Sequence, residues 1–266
     1  MHINTFDHYQ SLESPIHRLD PRVKVVVTAV FILSSVLLPD GAWLAFACSF
    51  AFLMVLSWQA KLGFRFVLTR SLTAFPFALA AVTAVFSVPG EPVLAIKIGP
   101  WMLIATDAGI IRFVSIILRS WLSVQMAIIL TATTSFPDLI HALRHLRMPG
   151  VLVSTIAFMY RYLFVLSDEA VRLLRARDAR SARLTGKSGG GSLLWRAQVA
   201  GNMAGQLFLR SYERSERIYN AMLARGYRGT LLTLNPHEMG SRDWLLGAVL
   251  LAAIAAIQFV GGFAGE

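Results

Sequence analysis

Five long apolar runs decide which class of fold this chain can adopt. They cover approximately residues 23–38, 42–58, 72–88, 108–133 and 244–263. Each is close to the roughly 20 residues that an α-helix needs to cross about 30 Å of hydrocarbon. The runs do not alternate apolar and polar residues, as the strands of a membrane β-barrel do. The sequence therefore predicts an all-α integral membrane protein with about five transmembrane helices.

The overall composition agrees with this class of protein. Hydrophobic residues make up 56% of the 266 positions and charged residues only 15%. An ordinary soluble domain carries a smaller apolar share and more charge. A membrane environment is the physical setting in which so apolar a chain can fold.

Basic residues are distributed unevenly between the apolar runs, within a net charge of +10. Arg18, Arg22 and Lys24 lie before or at the start of the first run, and most of the later ones lie between residues 144 and 242. By the positive-inside rule, this distribution predicts a cytoplasmic N-terminus and a multi-pass protein of the cell (inner) membrane. Arginines also bind nucleic acid, but no motif of that class is present, so we expect no nucleic-acid partner.

The same distribution predicts three segments along the chain. They are an N-terminal membrane region with four spans (1–134), a cytoplasmic or interfacial domain of long helices (135–241) and a C-terminal span (242–266).

The middle segment begins with a short helix that Ser135 caps and Pro149 follows. A second helix, from Val151, is apolar for several turns, and we expect that part to lie against or partly within the bilayer. A glycine- and serine-rich linker at 187–192 precedes a third helix from Leu193. The segment is therefore predicted to consist of helices that end in polar, arginine-bearing tips.

One six-residue pattern occurs at both of those tips. Residues 176–181 and 221–226 each read Ala-x-x-Ala-Arg followed by a small residue. Alanines three apart lie on nearly the same helical face, and a small residue after the arginine allows another backbone to approach closely. Such a surface suits docking into a groove of another protein.

An alternative interpretation is that these arginines only hold the chain near anionic lipid, with up to about 1 kcal/mol from each basic side chain. Lipid attraction needs charge but has no use for matched alanines. A guanidinium can instead bind a carboxylate through two parallel hydrogen bonds. A lipid-anchored adaptor would tolerate lysine in place of these arginines, whereas a bidentate contact would not.

These features resemble the transmembrane (T) component of energy-coupling factor (ECF) transporters, the CbiQ/EcfT family, and most closely its cobalt-transport branch. The resemblance runs from residues 19–24, before the first apolar run, through 159–164 in the long helix to 211–227. In that family each Ala-Arg-small signature lies on a cytoplasmic coupling helix. Its arginine contacts acidic residues in a groove of an ATP-binding-cassette (ABC) subunit.

The resemblance implies a set of contact residues at the two tips. The first tip carries serine where the family more commonly has glycine, and residues 176–178 offer an overlapping near-match. The implied contacts are Arg180, flanked by Ala179 and Ser181, and Arg225, flanked by Ala224 and Gly226.

The resemblance also implies a division of labour between subunits. Two ABC-type ATPase subunits would hydrolyse ATP, so this chain would be a non-catalytic transporter subunit without a cofactor. A separate S component would capture the substrate, which in the cobalt branch is a divalent metal ion that supplies cobalamin synthesis, often with a further small membrane subunit. A nickel or vitamin transporter built on the same scaffold is the alternative.

Two further clusters of polar residues leave their roles open. Asp138, His141 and His145 share one helical face, which suits either metal ligands or a polar surface at the membrane. We predict the second role and therefore no metal ligand. Arg112 and Arg119 lie seven apart in the fourth apolar run, where charge is costly and usually faces protein or water.

Overall fold

A computed structural model describes residues 9–10, 12–72, 81–98, 101–180, 192–229 and 239–263. Its elements, numbered in chain order, are α1 (Pro15–Arg18), α2 (Pro21–Leu37), α3 (Trp43–Gln59), α4 (Phe64–Ser71), α5 (Thr83–Ser87), β1 (Pro92–Ile98), β2 (Trp101–Thr106), α6 (Asp107–Thr133), α7 (Phe136–His145), α8 (Gly150–Arg180), α9 (Leu193–Ala224) and α10 (Ser241–Phe263). Ser181, one of the predicted site residues, lies outside the described residues.

The chain divides into two units. The first, which we call the bundle unit, combines Met1–Leu146 with Pro236–Glu266 and contains α1 to α7, both strands and α10. The second, the helix-pair unit, covers Arg147–Asn235 and contains α8 and α9.

Four of the five apolar runs form helices over most of their length. The helices α2 and α3 have 17 residues each, α6 has 27 and α10 has 23. Within the described residues, α6, α8 and α10 are long and apolar enough to cross a membrane, and α3 is a shorter apolar helix. These helices confirm the prediction of an all-α membrane protein. Most of the third run, residues 73–80, lies outside the described part of the chain.

The strands β1 and β2 are an element that the sequence reading did not predict. They pair antiparallel, with Ile98 opposite Trp101, and β2 leads directly into α6. The hairpin occupies the connection between the third and fourth apolar runs, so it adds a short two-stranded element to an otherwise helical fold.

The core of the bundle unit lies where α2, α3, α6 and α10 pack together. Phe31 from α2, Leu53 from α3 and Leu122 from α6 are almost completely buried, and the ring of Phe31 stacks on that of Phe52 at 5.7 Å. Helices with apolar residues on most faces suit such a buried position.

Small residues on α10 allow it to lie close against α2. A Cβ atom added at Gly247 would stand 3.0 Å from a methyl group of Val23, and one at Gly261 would collide with Leu38. Close backbone approach through glycine is a common packing mode of membrane helices. The packing of α10 therefore depends on these two glycines.

One lysine connects several helix ends of the bundle unit. The side chain of Lys24 is buried, and its Nζ donates to the carbonyl of His17 at 3.1 Å and to that of Thr133 at 3.0 Å. Thr133 is the last residue of α6, whose terminal carbonyls have no partner within the helix and carry a partial negative charge. Lys24 thus joins α2 to the ends of α1 and α6.

The residue that caps α2 extends this connection to α10. The carboxylate of Asp20 accepts from the backbone N–H of Arg22 at 2.8 Å, which satisfies a free donor at the start of the helix. The backbone N–H of Asp20 donates to Asp243 in the first turn of α10 at 3.3 Å. The segment at residues 19–24, quoted above for its family resemblance, is therefore the point where four helix ends meet.

The two arginines in α6, Arg112 and Arg119, both lie beside one carboxylate. Arg119 donates through Nη2 to the carboxylate of Asp40 and to the carbonyl of Leu38, both at 2.6 Å. Arg112 lies 3.9 Å from the same carboxylate. Asp40 belongs to the loop between α2 and α3. The loop carboxylate compensates charges that would otherwise be costly within a span.

We expect Lys24→Met to lower the free energy of unfolding by roughly 2–3 kcal/mol, because one buried and one partly buried carbonyl lose a charged donor. Thermal unfolding of the purified chain in detergent measures the change. Arg65→Met, which removes an exposed charge from α4, is the matched control and should leave the midpoint within error. An unchanged midpoint for Lys24→Met would contradict the anchoring role.

Asp40→Asn should destabilise the bundle unit by about 1–3 kcal/mol, since the Arg119 guanidinium keeps its position but loses its counter-charge. The same unfolding measurement applies, with Asp168→Asn, an exposed carboxylate in α8, as the control. Equal midpoints for the two variants would show that solvent already screens the Arg119 charge.

Candidate functional site: the two arginine-bearing helix ends

The helices α8 and α9 run antiparallel in the helix-pair unit. Ser154, near the start of α8, donates to the carbonyl of Gly229, just beyond the end of α9, at 3.4 Å. Near the middle of both helices, Glu169 accepts from Arg210 Nη1 at 2.8 Å. Because the helices are antiparallel, their C-terminal ends lie at opposite ends of the pair.

This arrangement separates the two predicted contact arginines. Arg180 ends α8, whereas Arg225 lies close in sequence to Gly229 and hence near the Ser154 end of that helix. With a rise of 1.5 Å per residue, the stretch of α8 from Ser154 to Arg180 is ~40 Å long. The two arginine-bearing ends are therefore too far apart to enter one groove together.

The end of α9 has a defined hydrogen-bonded termination. Arg225 is the C-cap residue, the N–H of Gly226 donates to the carbonyl of Leu223 at 2.9 Å, and the N–H of Tyr227 donates to that of Met222 at 3.0 Å. This pair of bonds is the Schellman motif, which requires a left-handed residue directly after the cap. Gly226 supplies it, with φ +84°.

The local backbone conformation therefore favours glycine at position 226, in addition to the predicted close approach of another backbone. A Cβ atom added at Gly226 would meet nothing within 4 Å, so its surroundings in this chain do not require a small residue. The backbone conformation does, since a side chain in the left-handed region is strained. The small residue after the arginine directs the chain away from the helix axis and leaves Arg225 at the tip.

Both tips present their alanines and arginine to solvent. Ala179 and Arg180 at the first tip, and Ala224 and Arg225 at the second, are all exposed. In the part of the chain that the structure describes, neither guanidinium has a carboxylate within 4 Å. An arginine at a helix C-terminus is favoured by about 0.3–1 kcal/mol through the helix dipole. The two cations are thus stable where they are and free to accept an acidic partner.

The overlapping near-match at the first tip has a different environment. Arg177 donates to the carboxylate of its neighbour Asp178 at 2.8 Å through Nη2 and at 3.2 Å through Nε. A guanidinium occupied in this way is less suited to bind a second carboxylate than that of Arg180. Arg180 has no such carboxylate partner among the described residues.

A groove adjoins the second tip and was not predicted from the sequence. It has a volume of about 440 Å³ between α8 and α9, and its walls are mainly apolar. Met222 and Tyr227, the two positions that often touch in a Schellman motif, line it together with Phe158. The sequence of residues 222–227, Met-Leu-Ala-Arg-Gly-Tyr, does indicate the Schellman motif, because an apolar residue stands on each side of a glycine at the helix end.

Glu169 is a second residue whose role the sequence did not reveal. It accepts from Arg172 on its own helix at 2.6 Å and from Arg210 on α9 at 2.8 Å. A carboxylate between two arginines joins α8 to α9 at mid-length. Nothing in the local sequence indicates the partner, since Arg210 is 41 positions away.

The histidine cluster of α7 has protein partners. The carboxylate of Asp138 accepts from the hydroxyl of Ser135 at 2.6 Å, and Nε2 of His145 lies 3.0 Å from Nη2 of Arg22. Over the described ranges, no group of three histidine, cysteine or acidic side chains is placed to hold a metal ion. An adjacent arginine disfavours a cation at His145. These side chains thus have protein contacts, and their role as a polar surface at the membrane stays a prediction.

Proteins of a known family are similar to this chain over most of its length. A family model described as cobalt transport protein (CbiQ) matches residues 12–236. The transmembrane protein EcfT of an energy-coupling factor transporter from Leuconostoc gelidum subsp. gasicomitatum is 30% identical over 222 residues, which cover 80% of each chain. The EcfT protein of Acidaminococcus fermentans is 29% identical over 96% of each chain. The cobalt transport protein CbiQ of Rhodobacter capsulatus is 28% identical over 76% of this chain and 80% of its own.

The match to the family model covers most of the chain, including both tips up to residue 236 and the connected helix ends at residues 19–24. The relatives are similar over nearly their whole length rather than over one motif. The chain therefore belongs to the CbiQ/EcfT family, the transmembrane (T) components of energy-coupling factor transporters.

Proposed function

We propose that this T component couples ATP hydrolysis by two ABC-type ATPase subunits to substrate release from a membrane S component. The observation that carries the proposal is the pair of exposed arginine tips at opposite ends of one antiparallel helix pair. Among the described residues, neither Arg180 nor Arg225 has a carboxylate within 4 Å. The chain itself is then a non-catalytic subunit without a cofactor, and hydrolysis takes place in the partners.

The chemistry of the tips favours an acidic groove as the binding site. The planar guanidinium of arginine forms two parallel hydrogen bonds with a carboxylate, and lysine cannot reproduce this geometry. The exposed alanines beside Arg180 and Arg225 leave room for the walls of a groove. Each tip is therefore a narrow helix end with a single guanidinium that can enter an acidic groove.

The distance between the tips supports one ATPase subunit for each tip. At ~40 Å, their separation along α8 exceeds the diameter of a small domain. Two subunits that move relative to each other during ATP binding and hydrolysis would then pull on the two ends of one helix pair. Coupling requires that the two nucleotide states make different contacts with the tips, because a ligand shifts an equilibrium only by its differential affinity.

The links between α8 and α9 give the pair a means to transmit such movement. Glu169 joins the helices at mid-length and Ser154 joins them near the second tip. Through these links, a displacement at one end of the pair moves both helices. In this proposal, the resulting movement of the helix pair leads the S component to release its substrate.

For the substrate, we infer a divalent metal ion, cobalt in the first place, held by the S component, with a further small membrane subunit in the complex. The description of the matching family and the name of the Rhodobacter capsulatus relative support cobalt. Nickel or a vitamin is the alternative. The complex is expected in the cell (inner) membrane with the N-terminus of this chain in the cytoplasm, as the basic residues before α2 suggest.

Tagged parent chain, Arg180→Glu and Arg225→Glu can be purified from native membranes in mild detergent, and their partners identified by mass. We expect ABC-type ATPase subunits with the parent and at least about tenfold less with each variant, because a reversed charge meets an acidic groove. Arg217→Glu, an exposed position on α9 about two turns before Arg225, is the matched control and should retain the ATPase. The accompanying S component identifies the substrate class.

The lysine variants separate this proposal from a lipid-anchored adaptor. Arg225→Lys keeps the charge but loses the bidentate geometry, so ATPase retention should fall although membrane association stays the same. If the parent retains no ATPase, or if Arg180→Lys and Arg225→Lys retain all of it, the tips do not dock as proposed. The adaptor interpretation then becomes the better one.

Gly226 offers a test of what the small residue contributes. We expect Gly226→Ala to destabilise the end of α9 by about 1 kcal/mol and to weaken ATPase retention, whereas Gly226→Asn should preserve most of both. Asparagine tolerates the left-handed conformation but is larger than alanine. Thermal unfolding and co-purification measure the two effects. Equal loss in both variants would show that close approach of a partner, rather than backbone conformation, requires glycine.

A further inference from the structure

A pocket of about 460 Å³ lies at the end of the bundle unit where α1 and α3 finish and α10 begins. Three basic side chains from these three places line it, namely Arg18, Lys61 and Arg242. Leu19 and Leu246 form an apolar part of its wall. Two acids, Glu13 and Asp243, line it as well, so the pocket combines a rim of net positive charge with an apolar side.

The cations of this pocket are largely available to a ligand. In the described parts of the chain, neither Lys61 nor Arg242 has a carboxylate within 4 Å. Arg18 lies 3.4 Å from Glu13, but both side chains are highly exposed, and such pairs are weak. The remaining acid, Asp243, already accepts from two backbone N–H groups.

Those two bonds hold the Asp243 carboxylate in place. The N–H of Gly240 donates to it at 3.0 Å and that of Asp20 at 3.3 Å. Asp243 is therefore committed to the start of α10 and to the connection with α2. It neutralises only part of the charge around the pocket.

The backbone at Lys61 gives an independent indication. Its N–H donates to the carbonyl of Trp58 at 3.0 Å, and the N–H of Leu62 donates to that of Ser57 at 3.1 Å. This is again a Schellman motif, and Lys61 occupies the left-handed position with φ +55°. Glycine is the usual residue there, as at the end of α9, because a side chain in this conformation is strained. Position 61 thus carries a lysine although its backbone conformation favours glycine.

Two tryptophans indicate the depth of the pocket in the membrane. Trp58, in the last turn of α3, is 82% exposed, and Trp244, in the first turn of α10, is 68% exposed. Tryptophan concentrates at the level of lipid headgroups. The pocket lies between these same two helix ends, so a membrane around the bundle unit would place its headgroups beside Lys61 and Arg242.

We propose that this pocket binds the phosphodiester of an anionic phospholipid headgroup. Arg18, Lys61 and Arg242 face the phosphate, and Leu19 and Leu246 face the adjoining glycerol and the start of the acyl chains. Basic pockets between membrane helices are suited to anionic headgroups, whereas a zwitterionic headgroup adds a cation that the three basic side chains repel. The site does not depend on the proposed coupling role of the tips.

The purified full chain in neutral detergent can be mixed with phosphatidylglycerol or phosphatidylcholine of identical acyl chains, and the retained lipid counted by native mass spectrometry. We expect preferential retention of phosphatidylglycerol. Lys61→Gly and Arg242→Gln should each lower it about fivefold, as removal of one basic contact predicts. Arg65→Gln removes an exposed charge that does not line the pocket and should bind as the parent does.

Lys61→Gly also excludes misfolding as the cause of lost binding. Glycine relieves the left-handed strain, so the midpoint of thermal unfolding in lipid-free detergent should be at least that of the parent. Equal retention of both lipids, or full retention of phosphatidylglycerol by Lys61→Gly and Arg242→Gln, would overturn the proposal. Displacement of the lipid by inorganic phosphate at equal concentration would overturn it too, because the pocket would then be a site for free phosphate.

Discussion

The buried ammonium of Lys24 is the interaction on which the bundle unit depends. It bonds to the final carbonyl of α6 and to a carbonyl of α1, while Asp20, four residues earlier, caps its own helix and reaches α10 through Asp243. Helix ends carry unsatisfied backbone groups, and an apolar environment supplies no water for them. One short segment satisfies several of these groups together, so it determines where four helices meet.

The structure uses the same hydrogen-bonded helix ending for two different purposes. At Gly226 the left-handed residue is glycine, and the ending places Arg225 at an exposed tip. At Lys61 the left-handed residue carries a long basic side chain, which lines a pocket together with Arg18 and Arg242. The backbone geometry is similar, but one position minimises strain and the other accepts it. Accepted strain at a charged residue is a physical reason to look for a ligand.

Charge within the apolar helices is also accounted for by tertiary contacts. Arg119 and Arg112 both approach Asp40 from the loop between α2 and α3. The sequence could identify these arginines as unusual, since charge in a span is costly. It could not identify their partner, because Asp40 lies more than 70 positions away from either of them. The pairing exists only when α2 and α6 pack side by side.

The sequence by itself determined the membrane class, the helices α2, α3, α6 and α10, and the two arginine tips, because apolar run length and local capping signals are properties of neighbouring residues. Only the tertiary structure decided that Arg180 and Arg225 stand at opposite ends of an antiparallel pair, that Glu169 joins α8 to α9, and that Arg18, Lys61 and Arg242 share one pocket. The strands β1 and β2 were missed as well. These features depend on which helix ends and side chains meet in space, and a contact between residues far apart in the chain leaves no periodic or local signal in the sequence.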